Sequence, residues 1–249
     1  MDRLKNYQPE IYGVVYFILL LNVWYLSGIA IENTIIPKGY DLFIRILIPI
    51  VSGFIGAFAA FKLKTWEEKK KERNLEISAI NKSLFVLNRQ INSIANTRVS
   101  LNECRDDAGR AINLRPSAGI EHSAVKQDID SLNFLISKGK SNLLLGLSIE
   151  QERFDLALWT VKHRNDIHYL EFQPAFDKTN LPDDIAITEE EMKMAIGDRI
   201  YLSLSQATEN VYNCIDKSYE SLQTMQDQLI VVAKELYPTE TFEKFELFE

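Results

Sequence analysis

Residues 11–31 read IYGVVYFILLLNVWYLSGIAI and residues 42–63 read LFIRILIPIVSGFIGAFAAFKL. These two stretches decide the fold. The first carries no charge over 21 positions. As a helix rising 1.5 Å per residue it reaches about 31 Å, the thickness of a bilayer's hydrocarbon core. A cleavable signal peptide has a shorter apolar core and a small-residue cleavage site, and here a second apolar stretch follows almost at once. The pattern predicts a two-helix transmembrane hairpin over residues 1–63.

Polar residues are scarce inside the spans. Asn22 lies in the first, and Arg45 lies about one turn inside the second, where its long stem lets the charge reach the interface. Pro49 removes one helical hydrogen bond. Gly53 with Ala57, and Gly56 with Ala60, give small residues four apart, a spacing that lets helices approach closely in lipid. Arg3 and Lys5 precede the first span, and Lys62, Lys64, Lys69, Lys70, Lys71 and Arg73 follow the second. The connector has Lys38 alone among Glu32 and Asp41. Basic residues stay on the cytoplasmic side, so both termini are expected inside. The basic run also suits an anionic lipid surface.

The charge then reverses. Residues 64–115 hold eleven Lys/Arg against seven Asp/Glu, and residues 116–249 hold twelve against 24. A net of +4 gives way to −12, which argues against direct nucleic-acid binding by the larger part. Cys104 and Cys214 fit no disulfide framework or zinc cluster, and a reducing compartment is expected.

Beyond residue 63 the periodicity is helical throughout. From Thr65 to about Asn113 there is no proline, and Ile77, Ile80, Leu84, Leu87, Ile91, Ile94 and Leu101 recur at heptad spacing, with Arg98 at the interrupted position. The seam fits an intermolecular coiled coil or the core stripe of a bundle, and three later helices favour the bundle. Arg115-Pro116-Ser117-Ala118-Gly119 breaks the chain. A short helix is predicted over Ser123–Ser137. Another spans Asn142 to about Gln173, with Leu144, Leu147, Phe154, Leu158, Val161 and Leu170 inward and Pro174 closing it. Thr188 and Glu191 form a capping box opening one last long helix that ends at Pro238. The expected organisation is all-α: an N-terminal hairpin with spans 11–31 and 42–63, a cytoplasmic antiparallel helical bundle over 64–238, and an acidic tail over 239–249 with Phe242, Phe245 and Phe248.

Chemistry is hard to find. There is no phosphate-binding loop, no Gly-x-Ser-x-Gly elbow and no His-Glu-x-x-His. Neither a cofactor nor an enzymatic activity is expected. Two of the three histidines fall in KHRNDIH, residues 162–168. His163 and His168 are about 140° apart around a helix and cannot share a ligand face. Arg164 and His168 do share one, as do His163 and Asp166. A helical ribonuclease family uses an Arg, four to six intervening residues and a His; here three intervene.

The layout resembles that of bacterial proteins with two N-terminal membrane helices and a cytoplasmic helical domain. Segments such as LNRQINSIANTR (87–98) and HRNDIHYLEFQP (163–174) are similar to members of that class. The nearest functional analogy is the two-transmembrane effector of retron antiphage systems. That resemblance implies a dormant, homo-oligomeric inner-membrane protein, regulated by a reverse transcriptase–non-coding RNA complex, that compromises the bilayer when released. Two alternatives stand beside it: a non-toxic membrane-tethered scaffold or signalling subunit, and a membrane-anchored helical ribonuclease.

Overall fold

The computed structural model describes residues 8–33, 41–107, 109–117, 125–179 and 188–242, with the side chains of 8–12, 31, 41, 42, 44 and 45 outside that description. The fold is all-α, with no strand among the described residues. Its elements are α1 (Gln8–Glu32), α2 (Asp41–Asn102), α3 (Arg110–Asn113), a 3₁₀ turn (Asp130–Leu132), α4 (Phe134–Ser137), α5 (Ser141–Ile167), a π turn (His168–Phe172), α6 (Gln173–Phe176), α7 (Glu189–Ile196) and α8 (Asp198–Leu236). The chain divides into two compact units, Met1–Asn74 and Leu75–Glu249.

In the first unit, α1 and the start of α2 are long and apolar enough to cross a membrane, over windows that are 0% buried. Phe17, Trp24, Phe54, Phe58 and Phe61 are all exposed. Polar groups in these stretches are satisfied locally. The Asn22 amide donates to the Ile18 carbonyl at 2.8 Å, and the Ser52 hydroxyl donates to the Pro49 carbonyl at 3.0 Å. Pro49 lies within α2, which continues past it. The Arg45 side chain falls outside the described residues.

In the second unit three long helices enclose the core. The heptad residues Ile80, Leu84, Leu87, Ile91, Ile94 and Leu101 of α2 are buried in a cluster with Leu144, Leu147 and Phe154 of α5 and Val211, Ile215, Leu222 and Leu229 of α8. The seam is therefore the bundle's own core stripe. Cross-links fix the directions. Lys140 pairs with Glu235, Glu150 with Ser221, Glu76 with Tyr237 and Arg98 with Asp216, so α8 runs antiparallel to both α5 and α2. Both being antiparallel to α8, α2 and α5 run parallel to each other, and Gln90 donates to Gln151 between them. Arg98, at the gap in the seam, also lies 5.0 Å over the Tyr219 ring. Gly146 lets the Met225 methyl approach α5 closely; a Cβ there would meet it at 2.6 Å.

Several boundaries differ from the sequence expectation, each for a local reason. The first long helix ends at Asn102, before a turn and the four-residue α3. The helix expected over Ser123–Ser137 gives way, from Val125 on, to irregular chain and two short turns. Side chains of the long helices bind that chain instead: Gln90 donates to the Val125 carbonyl at 3.2 Å, and the Gln127 N–H donates to Gln151 at 2.9 Å. Helical hydrogen bonds are replaced there by side-chain ones.

Pro174 does not stop the helix it was expected to close. The π turn ends the α ladder, with the Gln173 N–H donating to the His168 carbonyl, and Pro174 falls in the first turn of α6, where its missing N–H costs little. The turn's extra residue also changes phase. Leu170, expected inward, is 74% exposed, and Phe172 is buried in its place. The last helix is two, divided at Gly197 with φ 89°, a conformation that favours glycine.

A second cluster joins Ile167, Phe172, Met192, Ile196, Leu204 and Ala207 around that break. The capping box at its edge is as expected: the Thr188 hydroxyl accepts from the Glu191 N–H, and the Glu191 carboxylate accepts from the Thr188 N–H at 2.9 Å. Thr188→Ala is expected to lower unfolding stability by about 1 kcal/mol, read from the urea midpoint. Phe242 is buried beside Tyr237, so the start of the tail docks on the bundle; Phe245 and Phe248 lie outside the described residues.

Candidate functional site

The KHRNDIH segment forms the last turn of α5 and runs into the π turn, and the helix splits its polar residues between two faces. His163 and Asp166 are exposed, with the His163 ring stacked on Trp159 at 4.9 Å and 7°. Arg164 and His168, one turn apart, are buried, at 1% and 7% exposure. Asn165 is buried beside them. Their burial leaves neither Arg164 nor His168 open to a polynucleotide.

Arg164 reaches across to the chain around α3. Its Nη2 donates to the carbonyls of Ala111, at 3.0 Å, and Leu114. These are groups at the end of a four-residue helix that lacks partners of its own. Asn165 donates to the Ser117 carbonyl at 2.9 Å. Three backbone carbonyls, spaced three residues apart from α3 onward, are thereby fixed by two adjacent side chains of α5.

The electrostatics are one-sided. Neighbouring arginines have acids: Arg98 and Arg105 share Asp216, and Arg110 pairs with Glu209. Arg105 holds the Asp216 carboxyl below its ordinary range, and burial opposes it. Among the described residues Arg164 has no carboxylate in its contacts. Its Nε and Nη1 have no hydrogen-bond partner, and neither has His168 Nδ1. Burial pulls the Arg164 guanidinium down to about 10, and burial with the Arg164 charge pulls His168 down to about 4. His168 is therefore neutral at pH 7.

A cavity of about 480 Å³ adjoins these residues. Its wall takes Thr97, Ser100 and Leu101 from α2, Asn113 to Ser117 from the turn, Val161, Arg164 and Asn165 from α5, and Val211 from α8. A second, more open hollow of about 630 Å³ lies between α5 and α8, where Glu150 is held by Arg153 and Ser221.

The outward face of α5 is a different surface. Leu145, Ile149, Leu156 and Trp159 are all exposed there at heptad spacing, with Glu152 and His163 completing the row. In the sequence the inward stripe alone accounts for a bundle helix, so spacing gives no separate signal for this row.

The other residues singled out from sequence lie in the first unit. A Cβ at Gly53 or Gly56 would meet nothing within 4 Å, and Ala57 and Ala60 are exposed, so the small-residue face has no partner among the described residues of this chain. Lys62 lies 5.5 Å over the Phe58 ring and Lys70 lies 5.2 Å over Trp66, while Lys64 faces Glu68 at 4.0 Å. Lys69, Lys71 and Arg73 are exposed on the same helix. No group of three metal-ligating side chains occurs among the described residues, and both cysteines are free. No protein-family model, curated protein or solved structure matches this chain.

Proposed function

We propose that this chain is a membrane-embedded effector of a bacterial antiphage system of the retron type, in which the N-terminal spans act on the inner membrane under control of the helical unit. The observation that carries this reading is that one helix, α2, contains both the second apolar span and the first core stripe of the soluble unit. A simple anchor has no need of that arrangement. Supporting it, the exposed aromatic and aliphatic surface of the spans is far larger than a chain in water tolerates. The basic residues on either side of the spans support a topology with both termini in the cytoplasm.

The test is expression with recording of membrane potential. Wild-type chain, released from its regulator, depolarises cells; growth arrest with an intact potential would overturn the reading. Gly56→Leu sharpens it. A Cβ at this position meets nothing within 4 Å among the described residues, so the effect of the leucine reports on contacts between copies. Loss of depolarisation, with membrane insertion unchanged, is expected if the spans associate through the small-residue face.

The row of apolar residues outward on α5 favours a second reading, a scaffold whose bundle binds a partner helix. Leu156→Glu then releases a copurifying partner, and permeability is unaffected throughout.

A further inference from the structure

We propose that the cavity beside Arg164 is a binding site for a small molecule carrying an oxyanion of the phosphate type. A guanidinium shielded from water is costly unless every donor is used. Arg164 is 1% exposed, and two of its three nitrogens have neither a protein partner nor access to solvent. No carboxylate among the described residues offsets its charge. The nearby acids Asp216 and Glu209 are taken by Arg98, Arg105 and Arg110. The wall has a second cation at Arg115, and its one carboxylate belongs to the exposed Glu103. The remaining lining is suited to a hydroxylated body: the hydroxyls of Thr97 and Ser100 already donate to their own helix and keep lone pairs to accept, as does the Asn165 carbonyl oxygen.

The size is informative. About 480 Å³ lies within the range of small-molecule sites and is much larger than a bare phosphate ion needs. A phosphate ester fills it better. Arg164 also grips the carbonyls of Ala111 and Leu114. A ligand that draws the guanidinium toward the cavity competes with that grip, and so couples occupancy to the turn after α3. This inference holds whether or not the chain acts on a membrane.

The experiment uses the full chain in mild detergent, titrated with inorganic phosphate and separately with adenosine monophosphate, against sodium chloride at matched ionic strength. Calorimetry and thermal unfolding are read together. Saturable heat and a rise in the unfolding temperature beyond the chloride control are expected. Tighter binding of the monophosphate identifies an ester as the ligand class, and equal binding identifies free phosphate. Arg164→Gln removes the charge and keeps a donor for the carbonyls; its Kd is expected to rise at least tenfold. Ser100→Trp fills the cavity from an exposed position and leaves the Arg164 charge in place, and is expected to abolish binding with the unliganded unfolding temperature preserved. Both anions behaving like chloride, or Ser100→Trp binding as wild type, would overturn the proposal.

Discussion

Phe154→Ala is expected to lower the stability of the helical unit by about 3–5 kcal/mol, the range for removing a fully buried aromatic side chain. Phe154 is 0% exposed and sits where α5 faces the core shared with α2 and α8. The cost has two parts. The ring's transfer from water is lost, and a cavity remains because three long helices cannot collapse into it independently. In a domain of this size that loss moves the thermal midpoint by roughly 10 °C. Phe154→Leu keeps most of the volume and is expected to cost less than half as much. Urea unfolding of the full chain in detergent gives both values. A shift under 1 kcal/mol for the alanine variant would contradict the core described above.

The second large effect is one of pH. His168 titrates near 4 in the folded chain and near 6.5 when unfolded, because burial and the Arg164 charge both oppose its protonation. Above pH 6.5 both states are neutral there and stability is complete. As pH falls below 6.5 the unfolded state takes up a proton that the folded state refuses, and stability declines. The decline levels off near pH 4, after a loss of roughly 3 kcal/mol at most. Carboxylates such as Asp216, held low chiefly by Arg105, add their own losses only in the more acidic range. The urea midpoint of wild type should therefore fall between pH 6.5 and 4.5, and that of His168→Gln should be nearly flat there. A wild-type midpoint constant across that interval would exclude the buried, neutral histidine.

The elements that sequence conveys best are those set by long periodicities. The heptad seam from Ile77 to Leu101 is legible because seven apolar residues repeat a 3.5-residue step, and six of them are fully buried. The Thr188–Glu191 box is legible because both groups of a reciprocal pair lie three residues apart. Interruptions were harder. Gly197 looks like a tolerated helix glycine until its φ of 89° is known. Pro174 looks like a terminator, and the π turn before it has no composition of its own. The candidate site was half legible. Spacing put Arg164 and His168 on one face, but could not say that the face is buried, or that Arg164 lacks an acid. Those facts depend on Asp216 and Glu209, far along the chain, being engaged by other arginines.

The π turn has one more consequence. A turn that holds one residue beyond the α-helical repeat can lose it without opening the chain. Deleting a residue from 168–172 restores the ordinary pitch, and because the turn had absorbed that residue the segment after it keeps its facing. Phe154 and Arg164 before the turn and the buried cluster after it then keep their places. The helix from Ser141 to Phe176 is thus two separately phased pieces joined at an adjustable coupling. Related sequences, compared across this helix, are expected to tolerate a single-residue change in length at this one point and at no other.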